Sequence, residues 1–125
     1  MAPLVAVVDD DISVRESLES LIRSVGLAVK LFVSAEDLVN SPDPCMANCY
    51  ILDVRLPGMS GIELNRLLNA SGCKVPVIFI TAHASDDRAK ADAFTDSTIA
   101  YLIKPFAEDE LLDAVNAALK WKPEA

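Results

Sequence analysis

Leu4-Val-Ala-Val-Val8, followed directly by Asp9, Asp10 and Asp11, is an unbroken apolar run that stops at three acids. Five consecutive apolar residues with no alternation fit a strand buried on both faces, as in a parallel sheet covered by helices. The residues that follow change period. Val14, Leu18, Leu21, Ile22 and Val25 recur at helical spacing, and Gly26 stands where a helix C-cap glycine belongs. The same alternation repeats along the chain. Leu27 to Val33 reads as a second strand. Ser34-Ala-Glu-Asp37 is a capping signal for a short helix carrying Leu38 and Val39, which Pro42 and Pro44 end. Tyr50-Ile-Leu-Asp-Val54 is a third strand, followed by the loop from Arg55 to Ser60. Leu64, Leu67 and Leu68 then line one face of a helix ending near Gly72. Val75 to Ile80 is a fourth strand, and Ser85-Asp-Asp87 opens a candidate helix over 86–96 with acids at its positive end. Ile99 to Ile103 is the fifth strand. Leu111, Leu112, Val115, Ala118 and Leu119 form a last amphipathic helix.

Five strands alternating with five helices predict an α/β protein, a (βα)5 doubly wound parallel sheet joined by right-handed crossovers. In such open sheets functional groups collect at the carboxyl ends of the strands, beside the switch point. The 125 residues suit one domain of ordinary size. We take 1–122 as that domain and 123–125 as a tail or the start of a linker.

With 19 Asp plus Glu against 11 Lys plus Arg, the formal charge is −8. That balance, with no basic cluster, argues against direct nucleic-acid binding, because phosphate contacts supply most of that affinity. No apolar run reaches the roughly 20 residues of a membrane span, so the expectation is a soluble, cytoplasmic protein with no membrane partner. Cys45, Cys49 and Cys73 have no partners that complete a zinc site, and are expected to be three free thiols, with Cys49 in the core.

The expected strand ends carry a distinctive set. Asp9, Asp10 and Asp11 follow the first strand and Asp53 lies at the end of the third. Thr81 ends the fourth, and Lys104-Pro105 follows the fifth. If the first and third strands are neighbours, Asp9, Asp10 and Asp53 converge, and clustered carboxylates resist joint ionisation unless a cation neutralises them. Hard oxygen donors without His or Cys suit Mg²⁺ or Mn²⁺, which would also accept a phosphate oxygen. Thr81 and Lys104 would hold other oxygens of the same anion. Asp11 reads as a helix cap, and Lys104-Pro105 as a candidate cis peptide.

The motifs Val7-Val-Asp-Asp10, Leu52-Asp-Val-Arg-Leu-Pro-Gly-Met-Ser-Gly-Ile-Glu-Leu64, Val77-Ile-Phe-Ile-Thr-Ala82 and Lys104-Pro-Phe106 resemble the receiver domain of two-component response regulators across essentially the whole chain. The Arg55 loop with Thr81-Ala-His83 is most similar to receivers of the FixJ type. The resemblance implies a flavodoxin-like fold with strand order 2-1-3-4-5. It implies that Asp53 is the phosphoacceptor, taking a phosphoryl group from a phosphohistidine of a sensor histidine kinase, from a histidine phosphotransfer protein or from acetyl phosphate. Asp9, Asp10, Asp53 and the carbonyl of Arg55 would hold Mg²⁺. Thr81 and Lys104 would bind phosphoryl oxygens, and Thr81 and Tyr101 would form the switch. Arg55 and His83 fall where the family tunes dephosphorylation. The readout and homodimer surface would comprise the helix after the fourth strand, the fifth strand and the last helix.

One departure stands out. Ser97-Thr98 replace the Gly-Ala that receivers commonly carry before the last strand, and β-branched Thr is poorly suited to positive φ. The helix over 86–96 is therefore expected to be short, shifted or mobile, with Asp96 unfavourable at its negative end. Trp121 reads as a packing residue. The rival reading is a haloacid-dehalogenase-like phosphatase in which Asp9 is the nucleophile and Asp11 the acid/base. An unphosphorylated pseudo-receiver and a flavodoxin-like carrier are weaker alternatives. The chain leaves no room for an effector, so any action on DNA is expected through another domain or partner.

Overall fold

The computed structural model describes residues 3–82 and 95–122. Five strands, β1 (Leu4–Val8), β2 (Ala28–Phe32), β3 (Cys49–Asp53), β4 (Val77–Thr81) and β5 (Thr98–Ile103), form one sheet in the order β2-β1-β3-β4-β5. Every pairing is parallel, with Val5 opposite both Val29 and Cys49, and Tyr50 opposite Val77. The helices among the described residues are α1 (Ile12–Ser24), α2 (Ala35–Val39), α3 (Gly61–Ala70) and α4 (Glu108–Lys120).

Strand periodicity divides the core in two. Ala6, Val8, Tyr50, Leu52 and Phe79 pack with Leu38 of α2 and with Leu64 and Leu68 of α3. Val5, Val7, Ile51, Ile78 and Ile80 pack on the other face with Leu18 and Ile22 of α1 and with Leu111 and Val115 of α4. Each fully buried aliphatic side chain contributes about 1.5–3 kcal/mol, so the two-faced strands hold both helix layers. The helix ends follow local chemistry. Asp11 caps α1 by accepting from Ser13 N–H at 2.8 Å. Ser34 caps α2 by accepting from Asp37 N–H at 3.0 Å. Gly26 and Gly72, with φ of 86° and 83°, close α1 and α3.

Several expectations are corrected. The fourth strand starts at Val77 rather than Val75 and runs through Thr81. Val25 is 51% exposed because it is the C-cap of α1, and Leu67 is 39% exposed because Leu64 and Leu68 take the sheet-facing positions of α3. Cys45 and Cys73 are not free thiols but a disulfide. They precede β3 and β4, and the parallel pairing of those strands brings them together with a Cα–Cα distance of 5.8 Å. Cys49 is free and fully buried, as expected. The candidate helix from 86 lies outside the described residues up to position 94. Asp96 and Ser97 form a turn that leads into β5.

That turn replaces glycine with hydroxyls. Thr95 N–H donates to Thr98 Oγ1 at 3.0 Å, and Thr95 Oγ1 lies 3.3 Å from Ser97 Oγ. Ser97 is 4% exposed and its carbonyl accepts from Val77 N–H at 2.9 Å. No positive φ is used there.

Candidate functional site

The parallel order places the carboxyl ends of β1, β3, β4 and β5 side by side, and the chemistry-bearing residues meet there. One carboxylate oxygen from each of Asp9, Asp10 and Asp53 lies within 4.8 Å of the other two. Asp9 is fully buried, Asp53 is 6% exposed and Asp10 is exposed. Lys104, arriving from the end of β5, donates to Asp9 Oδ2 at 2.8 Å and to Asp53 Oδ2 at 3.1 Å. The remaining oxygens are held by backbone: Asp11 N–H donates to Asp9 Oδ1 at 2.9 Å, and Arg55 N–H to Asp53 Oδ1 at 3.1 Å. Thr81 is buried at the end of β4, and its carbonyl accepts from Lys104 N–H at 2.7 Å. The Lys104–Pro105 peptide is cis.

Charge crowding shifts these groups. Burial, reinforced by the neighbouring Asp9 charge, pushes the Asp53 carboxyl up to about 6 despite the opposing Lys104 ammonium. Burial alone would depress Lys104. Its hydrogen bonds and charge contacts with Asp9 and Asp53 outweigh that and hold it above its ordinary value. The donor set fits a hard divalent cation: three carboxylates, all oxygen, with one of them exposed to water. Asp11 is engaged in capping α1, and Asp9 is wholly buried with both oxygens bonded. The capping role of Asp11 does not suit it to be the acid/base of a phosphatase.

Three supporting residues were not singled out from the sequence. Arg15 Nη1 donates to the Asp9 carbonyl at 2.7 Å, bracing the acidic turn. Glu36 reaches across from α2 to accept from Met59 N–H at 2.8 Å, which holds its carboxyl below the ordinary value. Gly61 begins α3 against β3 so closely that a Cβ there would run into the Asp53 carbonyl oxygen. A glycine at the first turn of a helix, directly after Ser60 and the Pro57-Gly58 loop, was the available signal. Ser60 and Glu63 complete a capping box at the same place.

The family model described as "Response regulator receiver domain" matches residues 5–116. The chain belongs to that family. This receiver is 42% identical over 123 residues to the "Response regulator protein TodT" of Pseudomonas putida, covering 98% of this chain and 54% of TodT. It is 41% identical over 115 residues to the "Transcriptional regulatory protein FixJ" of Azorhizobium caulinodans, covering 92% of this chain and 54% of FixJ. The crystal structure of FixJ-N superimposes with a TM-score of 0.85 at 32% identity, over 100% of this chain and 99% of that one. The receiver thus spans about half the length of the curated relatives it matches. The expected strand order, the flavodoxin-like fold and the FixJ-type resemblance all hold.

The other expected positions divide. Tyr101 on β5 is half-buried and packs at a tilt on Phe79, with ring centroids 6.3 Å apart. The Arg55 side chain is exposed in the loop after β3. Trp121 is the half-buried C-cap of α4, at the opposite end of the molecule from the acids. His83 lies outside the described residues.

Proposed function

We propose that Asp53 is the phosphoacceptor of this receiver and takes its phosphoryl group from a phosphohistidine of a sensor histidine kinase or a histidine phosphotransfer protein. The observation that carries the reading is the convergence of Asp9, Asp10 and Asp53, with the Lys104 ammonium bonded to Asp9 and Asp53. A carboxylate oxygen of Asp53 attacks phosphorus, the P–N bond breaks, and the imidazole leaves with a proton from solvent. The product is an acyl phosphate on Asp53.

Mg²⁺, or Mn²⁺, held by Asp9, Asp10, Asp53 and the Arg55 carbonyl would neutralise the phosphoryl oxygens during transfer. Lys104 and the Thr81 hydroxyl orient the other oxygens, so the barrier falls through positioning and charge. The added phosphoryl brings about −1.5 to −2 charge, taking phosphoserine as the analogue. Thr81 and Tyr101 respond as the switch, and Arg55 and His83 tune loss of the phosphoryl group, which the domain itself promotes. Residues 1–122 act as one cytoplasmic unit, dimerising through the last strand and helix and acting on DNA only through another domain or partner. Among the described residues no helix is long and apolar enough to cross a membrane.

Incubation with acetyl phosphate and Mg²⁺, followed by intact-mass analysis, tests this. Wild type gains one phosphoryl group, and Asp53→Asn gains none. Label retained by Asp53→Asn and lost by Asp9→Asn would overturn the assignment.

A further inference from the structure

At the end of the sheet opposite Asp53, the Cys45–Cys73 disulfide ties the loop before β3 to the loop before β4. We propose that this pair is a thiol–disulfide exchange site, opened at Cys45 by a dithiol reductant, whose state sets how firmly the carboxyl end of α3 is held.

Access to the bond is one-sided. Cys45 is exposed, whereas Cys73 is 6% exposed and sits in the core cluster beneath α3. An attacking thiolate therefore reaches the Cys45 sulfur, across an apolar depression of about 390 Å³ lined by Val39, Pro44, Leu67 and Leu68. The S–S bond breaks, a mixed disulfide forms on Cys45, and Cys73 leaves as a thiolate and takes a proton. The second thiol of the reductant then attacks the mixed disulfide, releasing Cys45 as a thiol and the reductant as its cyclic disulfide. Two electrons and two protons pass to the protein, and re-oxidation by a disulfide of the same class reverses the steps.

The surroundings let the bond open without unfolding its loops. Tyr50 Oη donates to the Pro44 carbonyl at 2.6 Å and accepts from Ala47 N–H at 3.2 Å, so the loop carrying Cys45 has its own anchor. Cys73 N–H donates to Leu68 carbonyl at 2.9 Å, and Gly72 N–H to Asn69 carbonyl at 3.1 Å, which closes α3 in a Schellman turn. The third cysteine cannot scramble the pair. Cys49 packs in the core on the other face of the sheet, and burial pushes its thiol up to about 12. Because α3 starts against Asp53 and ends beside Cys73, the bond clamps the far end of the helix that braces the acceptor.

Thiol alkylation with mass mapping on the folded protein, read beside thermal melting and hydrogen exchange, decides it. Before reduction Cys45 should resist alkylation. After dithiothreitol Cys45 should react well ahead of Cys73 and Cys49. Reduction should lower the melting temperature by about 5–15 °C and speed exchange of the amides of Ser71 to Cys73. Cys45→Ser, a change at the exposed partner, should match the reduced protein with or without dithiothreitol. Alkylation of Cys45 without reductant, a bond that excess dithiothreitol leaves intact below the melting point, or reduction that moves neither melting nor exchange would each overturn the proposal. None of these readouts involves phosphorylation, so they stand or fall separately from the role given to Asp53.

Discussion

Lys104 holds two carboxylates that would otherwise repel each other, and that balance makes the site testable by pH. The Asp53 carboxyl titrates at about 6 when folded, against 3.8 for the free group, so the folded state binds that proton more tightly than the unfolded chain. From this group alone, stability is greatest below about pH 4. It falls as pH rises through about 6, by roughly 3 kcal/mol at most. Asp53→Asn should remove that slope and raise the metal-free melting temperature at pH 7. Urea unfolding of both proteins from pH 4 to 8 measures the difference. Lys104→Met has the opposite consequence, leaving Asp9 and Asp53 without their cation. It should cost about 2–4 kcal/mol in chelator, with part of the loss recovered in Mg²⁺, as denaturant titrations in the two buffers would register.

At the scale of elements, α3 shows how local chemistry and close approach combine. Its capping box fixes where the helix begins, and Gly61 allows that beginning to press on the Asp53 backbone. Alanine is the better helix former by about 1 kcal/mol. Gly61→Ala should nonetheless destabilise by about 1–3 kcal/mol through overpacking and slow labelling of Asp53 by acetyl phosphate. A stabilised variant with unchanged labelling kinetics would contradict the contact. The turn from Thr95 to Thr98 teaches a related lesson. The absence of Gly-Ala before the last strand was visible in the sequence, but its replacement by a hydroxyl-bonded turn depended on which side chains face one another.

For the whole molecule, the excess negative charge is partly concentrated where a cation would bind. Mg²⁺ binding only the folded state stabilises it by mass action, about 2.7 kcal/mol at one hundred times the dissociation constant. The melting temperature of wild type should therefore climb with Mg²⁺ concentration, and that of Asp53→Asn less steeply. Differential scanning fluorimetry across a Mg²⁺ series reads both slopes.

Most of the architecture was legible because strand and helix periods are local properties. Apolar runs such as Leu4 to Val8 specify buried parallel strands, and acids, Thr81 and Lys104 at the strand ends mark a site before any contact is known. Alternation alone did not set the strand order, which came from family resemblance. Leu67 and Val25 lie at helical spacing yet face away from the sheet, because an apolar residue at that spacing need not point at it. Arg15 and Glu36 carry no sequence signal because their partners are main-chain groups, and the sequence is silent about backbone positions.

Period and composition alone mark the element pattern, the buried faces of the strands and the strand-end residues Asp9, Asp10, Asp53, Thr81 and Lys104. Strand pairing and packing had to be seen for Lys104 to bridge Asp9 and Asp53, for Gly61 to abut the Asp53 backbone, and for Cys45 to join Cys73 across a separation of 28 residues. The reason is that period and capping act within a few residues, whereas these contacts exist only once strand pairing has brought distant strand ends and loops together.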